Sequence, residues 1–287
     1  MDLVILSGKG GTGKTTVATA LAHLIGQKIA IDGDVDAPNF QLFYHGENIK
    51  QAPFSGSKTV VVDEQRCMRC GRCEASCRYG AIQMGQVKPL LCEGCGSCVI
   101  TCPTKALSLR DEETAQMAME RLENGWLVKA DMAIGSDGAG KLVTNLRKMA
   151  KELEDQPLTI IDGSPGIGCP VVSSITGSQY VLVVTEPTQS GLRDLNRILT
   201  LCRHFKVHTM VCINKYDLHQ ETTETIKAFL QQQNIELVGL IPFDRQVQKA
   251  INHLQPITQY QDSTASQAIV SMWQQLKRIM NLEEEVL

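Results

Sequence analysis

The sequence predicts an α/β fold: a mostly parallel sheet flanked by helices, interrupted by a small inserted α+β unit. Three observations predict it. Short apolar runs of strand length alternate with helical stretches, the rhythm of βαβ units. A glycine-rich loop joins the first such run to the first helix. Eight of the 11 cysteines crowd between Cys67 and Cys102 and break the rhythm there.

Residues 3–7 read as a buried strand, 15–25 as a helix and 29–31 as a second strand ending in Asp32. This βαβ start predicts parallel pairing with right-handed crossovers. Residues 40–58 are polar, show no clear period and contain Gly46, Pro53 and Gly56. A new unit begins at 59–62 and ends near Leu109-Arg110. Strands are then expected at 125–129, 158–161, 180–184, 209–213 and 236–241, with helices at 141–153 and 191–205. In the last helix Ile269, Met272, Trp273, Leu276, Ile279 and Met280 form one apolar stripe. The 287 residues suffice for one large α/β domain, 1–58 and 113–287, with a small domain inserted at 59–112.

Charge is nearly balanced at a formal −3, which argues against nucleic-acid or membrane partners held by bulk electrostatics. No apolar run approaches the roughly 18–20 residues of a membrane span. The chain opens directly into Asp2-Leu3-Val4-Ile5-Leu6 without a basic leader, so a cytoplasmic protein is expected.

Gly8-Lys9-Gly10-Gly11-Thr12-Gly13-Lys14-Thr15 fits G-x-x-x-x-G-K-[ST] between a strand and a helix, the context a phosphate-binding P-loop requires. Glycines let backbone N–H groups wrap phosphates, and the helix N-terminus adds partial positive charge. Lys14 is expected on the β/γ-phosphates of ATP, and the Thr15 hydroxyl on Mg²⁺. The fuller run from Lys9 to Thr16 resembles the deviant P-loop of the MinD/ParA/nitrogenase-iron-protein class of ATPases. That resemblance implies a P-loop NTPase sheet and a nucleotide-dependent dimer, formed with a second copy or a paralogue. It implies that Lys9 crosses to the partner's nucleotide. Asp32-Gly-Asp34-Val-Asp36 resembles switch I of the class, with Asp34 orienting the attacking water and Asp36 the alternative. Ile160-Ile161-Asp162-Gly-Ser-Pro165-Gly166 resembles Walker B running into switch II. Asp162 would hold Mg²⁺ through water, and the Gly166 N–H would sense the γ-phosphate. Asn214 resembles the adenine-reading residue, and Pro242 lies in the loop that closes over the base.

Both cysteine runs read C-x₂-C-x₂-C-x₃-C, and the second repeats the first at an offset of 25. Gly71 maps on Gly96, Ala81 on Ala106 and Ile82 on Leu107. This is the bacterial-ferredoxin pattern for two [4Fe–4S] clusters, in which each fourth cysteine serves the other cluster. One set is Cys67, Cys70, Cys73 and Cys102; the other is Cys92, Cys95, Cys98 and Cys77. C-x₂-C pairs also bind zinc, though two such full runs are rarely zinc sites. Cys102 is followed by the usual proline, Pro103, but Cys77 by Arg78. The whole resembles MinD-superfamily ATPases with an inserted ferredoxin domain. The match extends through Gly168-Cys169-Pro170 and Thr185-Glu186-Pro187-Thr188.

Cys202 and Cys212 read as core thiols. Cys169 reads as a buried structural thiol or, by resemblance to the nitrogenase iron protein, as a ligand of a dimer-bridging cluster, for which no second cysteine is evident. The six histidines show no ligand spacing. Gly138-Ala-Gly140-Lys141 opens a helix, either as a plain helix start or as an anion site. Three functions compete: an ATP-gated electron carrier with a redox partner, an ATPase that assembles or delivers metallocofactors, and a MinD/ParA-like positioning protein. The acidic end at 281–287 would repel anionic lipid, which weighs against the third.

Overall fold

The computed structural model describes residues 1–153 and 158–282. The acidic end discussed above lies outside the described residues from 283 onward. The chain runs β1 (Asp2–Ser7), α1 (Lys14–Leu24), β2 (Lys28–Gly33), β3 (Glu47–Val62), α2 (Arg72–Ser76), β4 (Ile82–Gln83) and β5 (Gln86–Val87). It continues through α3 (Ser97–Thr101), β6 (Leu107–Leu122), β7 (Gly125–Met132), α4 (Ala139–Ala150), β8 (Thr159–Pro165) and α5 (Cys169–Ile175). The last part is β9 (Tyr180–Thr185), α6 (Gln189–Phe205), β10 (His208–Asn214), α7 (Gln220–Gln232), β11 (Glu236–Ile241), α8 (Arg245–Asn252) and α9 (Thr264–Ile279).

One nine-stranded sheet has the order β11-β10-β9-β1-β8-β2-β7-β6-β3. The seven strands from β11 to β7 pair in parallel. Alternate strand residues point to opposite faces, so each face buries its own core. Val4 and Leu6 join α4, α5, α6 and α7 on one side, while Leu3 and Ile5 join α1 and α9 on the other. The parallel α/β sheet with helices on both faces agrees with the sequence expectation.

Residues 40–58 correct it. The segment read as aperiodic supplies most of β3, a 16-residue strand paired antiparallel to β6. β6 in turn pairs antiparallel to β7. Its polar composition has a physical cause: β3 is an edge strand and mostly exposed, so it needs no apolar face. Pro53 is tolerated there for the same reason. The chain therefore passes the expected boundaries at 58/59 and 112/113 without leaving the sheet. Beyond Ala115, which pairs with Met132, β6 and β3 continue as a two-stranded arm. The arm leaves from the end of the sheet at which β1, β2 and β8 stop, and residues 63–106 sit on it.

Candidate functional site

At that same end, the loop after β1 turns through Gly11 and Gly13, whose positive φ of 81° and 92° favour glycine. A side chain at Gly13 would also place its Cβ 2.2 Å from Asn214 Nδ2. A cleft of about 1190 Å³ opens here, lined by Gly10, Gly11, Gly13–Thr16, Asp34, Asn214 and Pro242. Four strand ends thus bring these predicted residues to one cleft, while Gly8, Lys9, Thr12, Asp162 and Gly166 are not in its lining.

Lys14 is buried and lies 2.8 Å from Asp162 Oδ1 and 3.2 Å from Asp34 Oδ2. Thr15 Oγ1 donates to Asp162 Oδ2 at 2.7 Å. Burial alone would lower the Lys14 ammonium, but Asp162 and Asp34 hold it above its usual value. Burial raises the Asp34 carboxyl against the opposing pull of Lys14. Asp32 is 1% exposed; its Oδ2 accepts from Gln41 N at 3.0 Å and its Oδ1 has no partner. Burial first, then the Asp162 charge, pushes its carboxyl up to about 7. Thr15, Asp162 and Asp34, expected to bind Mg²⁺, to hold it through water and to orient water, therefore form one polar cluster around the buried Lys14.

Three residues are engaged differently from their expected roles. Lys9 is folded onto its own chain, 2.6 Å from Glu186 Oε1, and donates to Ser190 Oγ at 2.9 Å. The Gly166 N–H donates to Ser7 O at 2.8 Å. Asn214 Nδ2 donates to Thr12 O at 2.8 Å. Each would exchange this partner to meet a neighbouring subunit, a γ-phosphate or a base. Glu186, which also lies 3.7 Å from Lys215, was missed as a site residue because its lysines are remote in sequence. The T-E-P-T run that contains it was the available signal.

Two smaller cavities lie on the arm. One is lined by Cys67, Cys70, Cys73 and Cys102, the other by Cys77, Cys92, Cys95 and Cys98. The structure thus groups the eight thiols in the two crossed sets. The two halves match in detail. Gly71 and Gly96 open α2 and α3 with φ of 75° and 77°. Cys77 Sγ accepts from Ala81 N, and Cys102 Sγ from Ala106 N, both at 3.3 Å. N–H donors aimed at sulfur favour the thiolate a cluster needs. The Thr104 hydroxyl, with burial opposing, lowers the Cys102 thiol. Among the described residues, no group of three or more His, Cys, Asp or Glu closes on a single metal-ion position. Four soft sulfur donors around a cavity fit an iron–sulfur cluster, and by ligand type alone they also fit zinc.

Of the remaining cysteines, Cys202 and Cys212 are buried as expected, but Cys169 is exposed. It stands at the first turn of α5, beyond the glycines of the switch II segment, and no apolar layer covers it there.

A family model for the CobQ/CobB/MinD/ParA nucleotide-binding domain matches residues 3–257. The chain belongs to this family. It is 31% identical to an uncharacterised protein of Methanocaldococcus jannaschii, over 98% of both chains. It is 23% identical to an iron-sulfur cluster carrier protein of Pyrococcus furiosus, over 96% of this chain and 84% of that one. The fold matches septum site-determining protein MinD of Pyrococcus horikoshii, solved with Mg-ADP, at a TM-score of 0.61. That match covers all of both chains at 17% identity. The chain is thus a nucleotide-binding MinD/ParA-type ATPase, and no described helix is long and apolar enough to cross a membrane.

Proposed function

We propose that this ATPase is an ATP-driven dimer switch that gates electron transfer, through two [4Fe–4S] clusters held by the cysteine-bearing insert on the β3–β6 arm, to a partner protein. The observation that carries the reading is the pair of four-cysteine cavities on an arm rising from the nucleotide end of the sheet. Lys14 would neutralise the β/γ-phosphates, Thr15 would bind Mg²⁺ with Asp162 holding it through water, and Asp34 would orient the attacking water. Release of Lys9 from Glu186 frees its ammonium for a second subunit. Cys67, Cys70, Cys73 and Cys102 would hold one cluster, and Cys92, Cys95, Cys98 and Cys77 the other. Each supplies one-electron chemistry when bound. The complete four-thiol sets suit retention of a cluster rather than its transfer.

One observation favours a second reading, cofactor delivery: the likeness to the Pyrococcus iron-sulfur cluster carrier. Anaerobic purification tests both. The account predicts about eight iron and eight sulfide per chain, MgATP hydrolysis, and retention of iron when an apo-ferredoxin acceptor is added. Transfer of iron to the acceptor would support delivery. One zinc per cavity and no sulfide would overturn both readings.

A further inference from the structure

The arm follows switch I in the chain, which makes switch I the obvious link between nucleotide and insert. The packing says otherwise. Between them stands Phe40, fully buried and stacked on Tyr44 with ring centroids 5.1 Å apart. Tyr44 Oη donates to Thr19 O on α1 at 2.6 Å. This anchor pins the connection before β3 begins. The other bond from this segment toward the arm's neighbour β7 is exposed, from Gln41 Nε2 to Asp131 Oδ1 at 3.0 Å.

Switch II has a tighter route. Its Gly166 is bonded to Ser7 at the root of the P-loop, and three residues later Cys169 starts α5. Cys169 abuts Gly140 on α4 so closely that a Cβ on Gly140 would lie 2.8 Å from Cys169 Cβ and 3.1 Å from its carbonyl carbon. Two residues back, a Cβ on Gly138 would lie 2.7 Å from Gly56 Cα. Gly56 is at the foot of the arm, where β3 is irregular and its N–H donates to Thr114 Oγ1 on β6 at 2.9 Å. Thr114 O in turn accepts from Ala133 N, in the loop that leads to Gly138, at 2.8 Å. Gly138 meets the Gly56 backbone, and Gly140 meets the Cys169 Cβ and backbone, so neither step has a flexible side-chain end to absorb a displacement.

We infer that switch II, acting through the Cys169–Gly140 and Gly138–Gly56 contacts, sets the position of the cysteine-bearing arm, and that switch I does not. Gly56, Gly138 and Gly140 are then positioning residues, glycine because each contact excludes a Cβ. This also replaces the anion-site alternative for the Gly138–Gly140 turn with a packing role. The inference rests on the ATPase reading, through nucleotide-dependent movement of switch II, and needs no cluster.

Hydrogen exchange of the full-length chain, with and without MgATP, tests it. In the wild type, MgATP changes exchange in the P-loop, in switch II and in the arm foot around Gly56 and Thr114. The expected change at the foot is about fivefold or more, the lower end of ordinary coupling between sites. Gly140→Ala abolishes the change at the foot while P-loop protection and ATP hydrolysis persist. Gln41→Ala keeps it. Cys169→Gly in the Gly140→Ala background restores part of it, which separates lost coupling from misfolding. A foot response that survives in Gly140→Ala, or vanishes in Gln41→Ala, overturns the inference. Absence of any P-loop response in the wild type would instead sink the ATPase reading beneath it.

Discussion

Lys14 shows what single residues contribute here. It is buried between Asp162 and Asp34, so its removal strands carboxylates in the interior. Lys14→Ala is expected to destabilise the nucleotide-free protein by about 3–5 kcal/mol, read by chemical denaturation. Asp34→Ala is expected to abolish hydrolysis and leave iron content unchanged, because the cysteine cavities lie on a separate element. Asp32 makes stability depend on pH. Its folded value of about 7 lies above the unfolded one, so the folded state keeps a proton that the unfolded chain releases. The group's stability is full below roughly pH 4, falls as pH rises, and is lost above about 7. Asp32→Asn should flatten that fall in denaturation midpoints; an unchanged pH profile would refute the assignment. Arg78, exposed beside Cys77, would favour the reduced state of a cluster held by these cysteines through its positive charge. Arg78→Pro should lower one midpoint potential and leave the other in place.

At the scale of elements, the sequence was legible where periodicity or a motif spoke for itself. β1, α1, β2 and the stripe of α9 fell close to their predicted bounds, and the nucleotide residues converged because strand ends bring motifs together. The crossed cysteine sets were expected from the bacterial-ferredoxin pattern, and the repeat itself shows in Gly71 and Gly96, which open equivalent short helices. β3 was illegible because an exposed edge strand carries no apolar alternation, and its partner β6 lies far along the chain. α7 escaped notice for a related reason: its buried side rests on Thr222, Thr223, Ile226 and Leu230, too sparse for a stripe. The exposure of Cys169 is a tertiary fact that a local apolar context could not reveal. Phe40, in the stretch read as featureless, is fully buried. Phe40→Ala is expected to cost about 3–5 kcal/mol of stability in denaturation, a cost that a surface loop would not show.

Over the whole molecule, one chain joins a nucleotide cleft and two thiol-lined cavities through a continuous sheet. An antiparallel arm on the edge of a parallel sheet can carry a second chemistry without disturbing the first, because Phe54, Ala115, Met117 and Met119 tie the base of its strands to the main core while Val60 and Leu107 farther out pack in a separate cluster. Close packing between switch II and the foot of the arm gives the two chemistries a physical means of sensing each other. Such sensing is reciprocal: if nucleotide alters the affinity of the arm's clusters for electrons, their reduction must alter affinity for nucleotide by the same factor. The most direct measurement is a redox titration of the anaerobically purified protein with and without MgATP. A tenfold coupling corresponds to about 59 mV for a one-electron couple. The account predicts a shift of tens of millivolts in at least one midpoint potential, lost in Gly140→Ala. Superimposable titrations in the wild type, with clusters present and ATP bound, would contradict it.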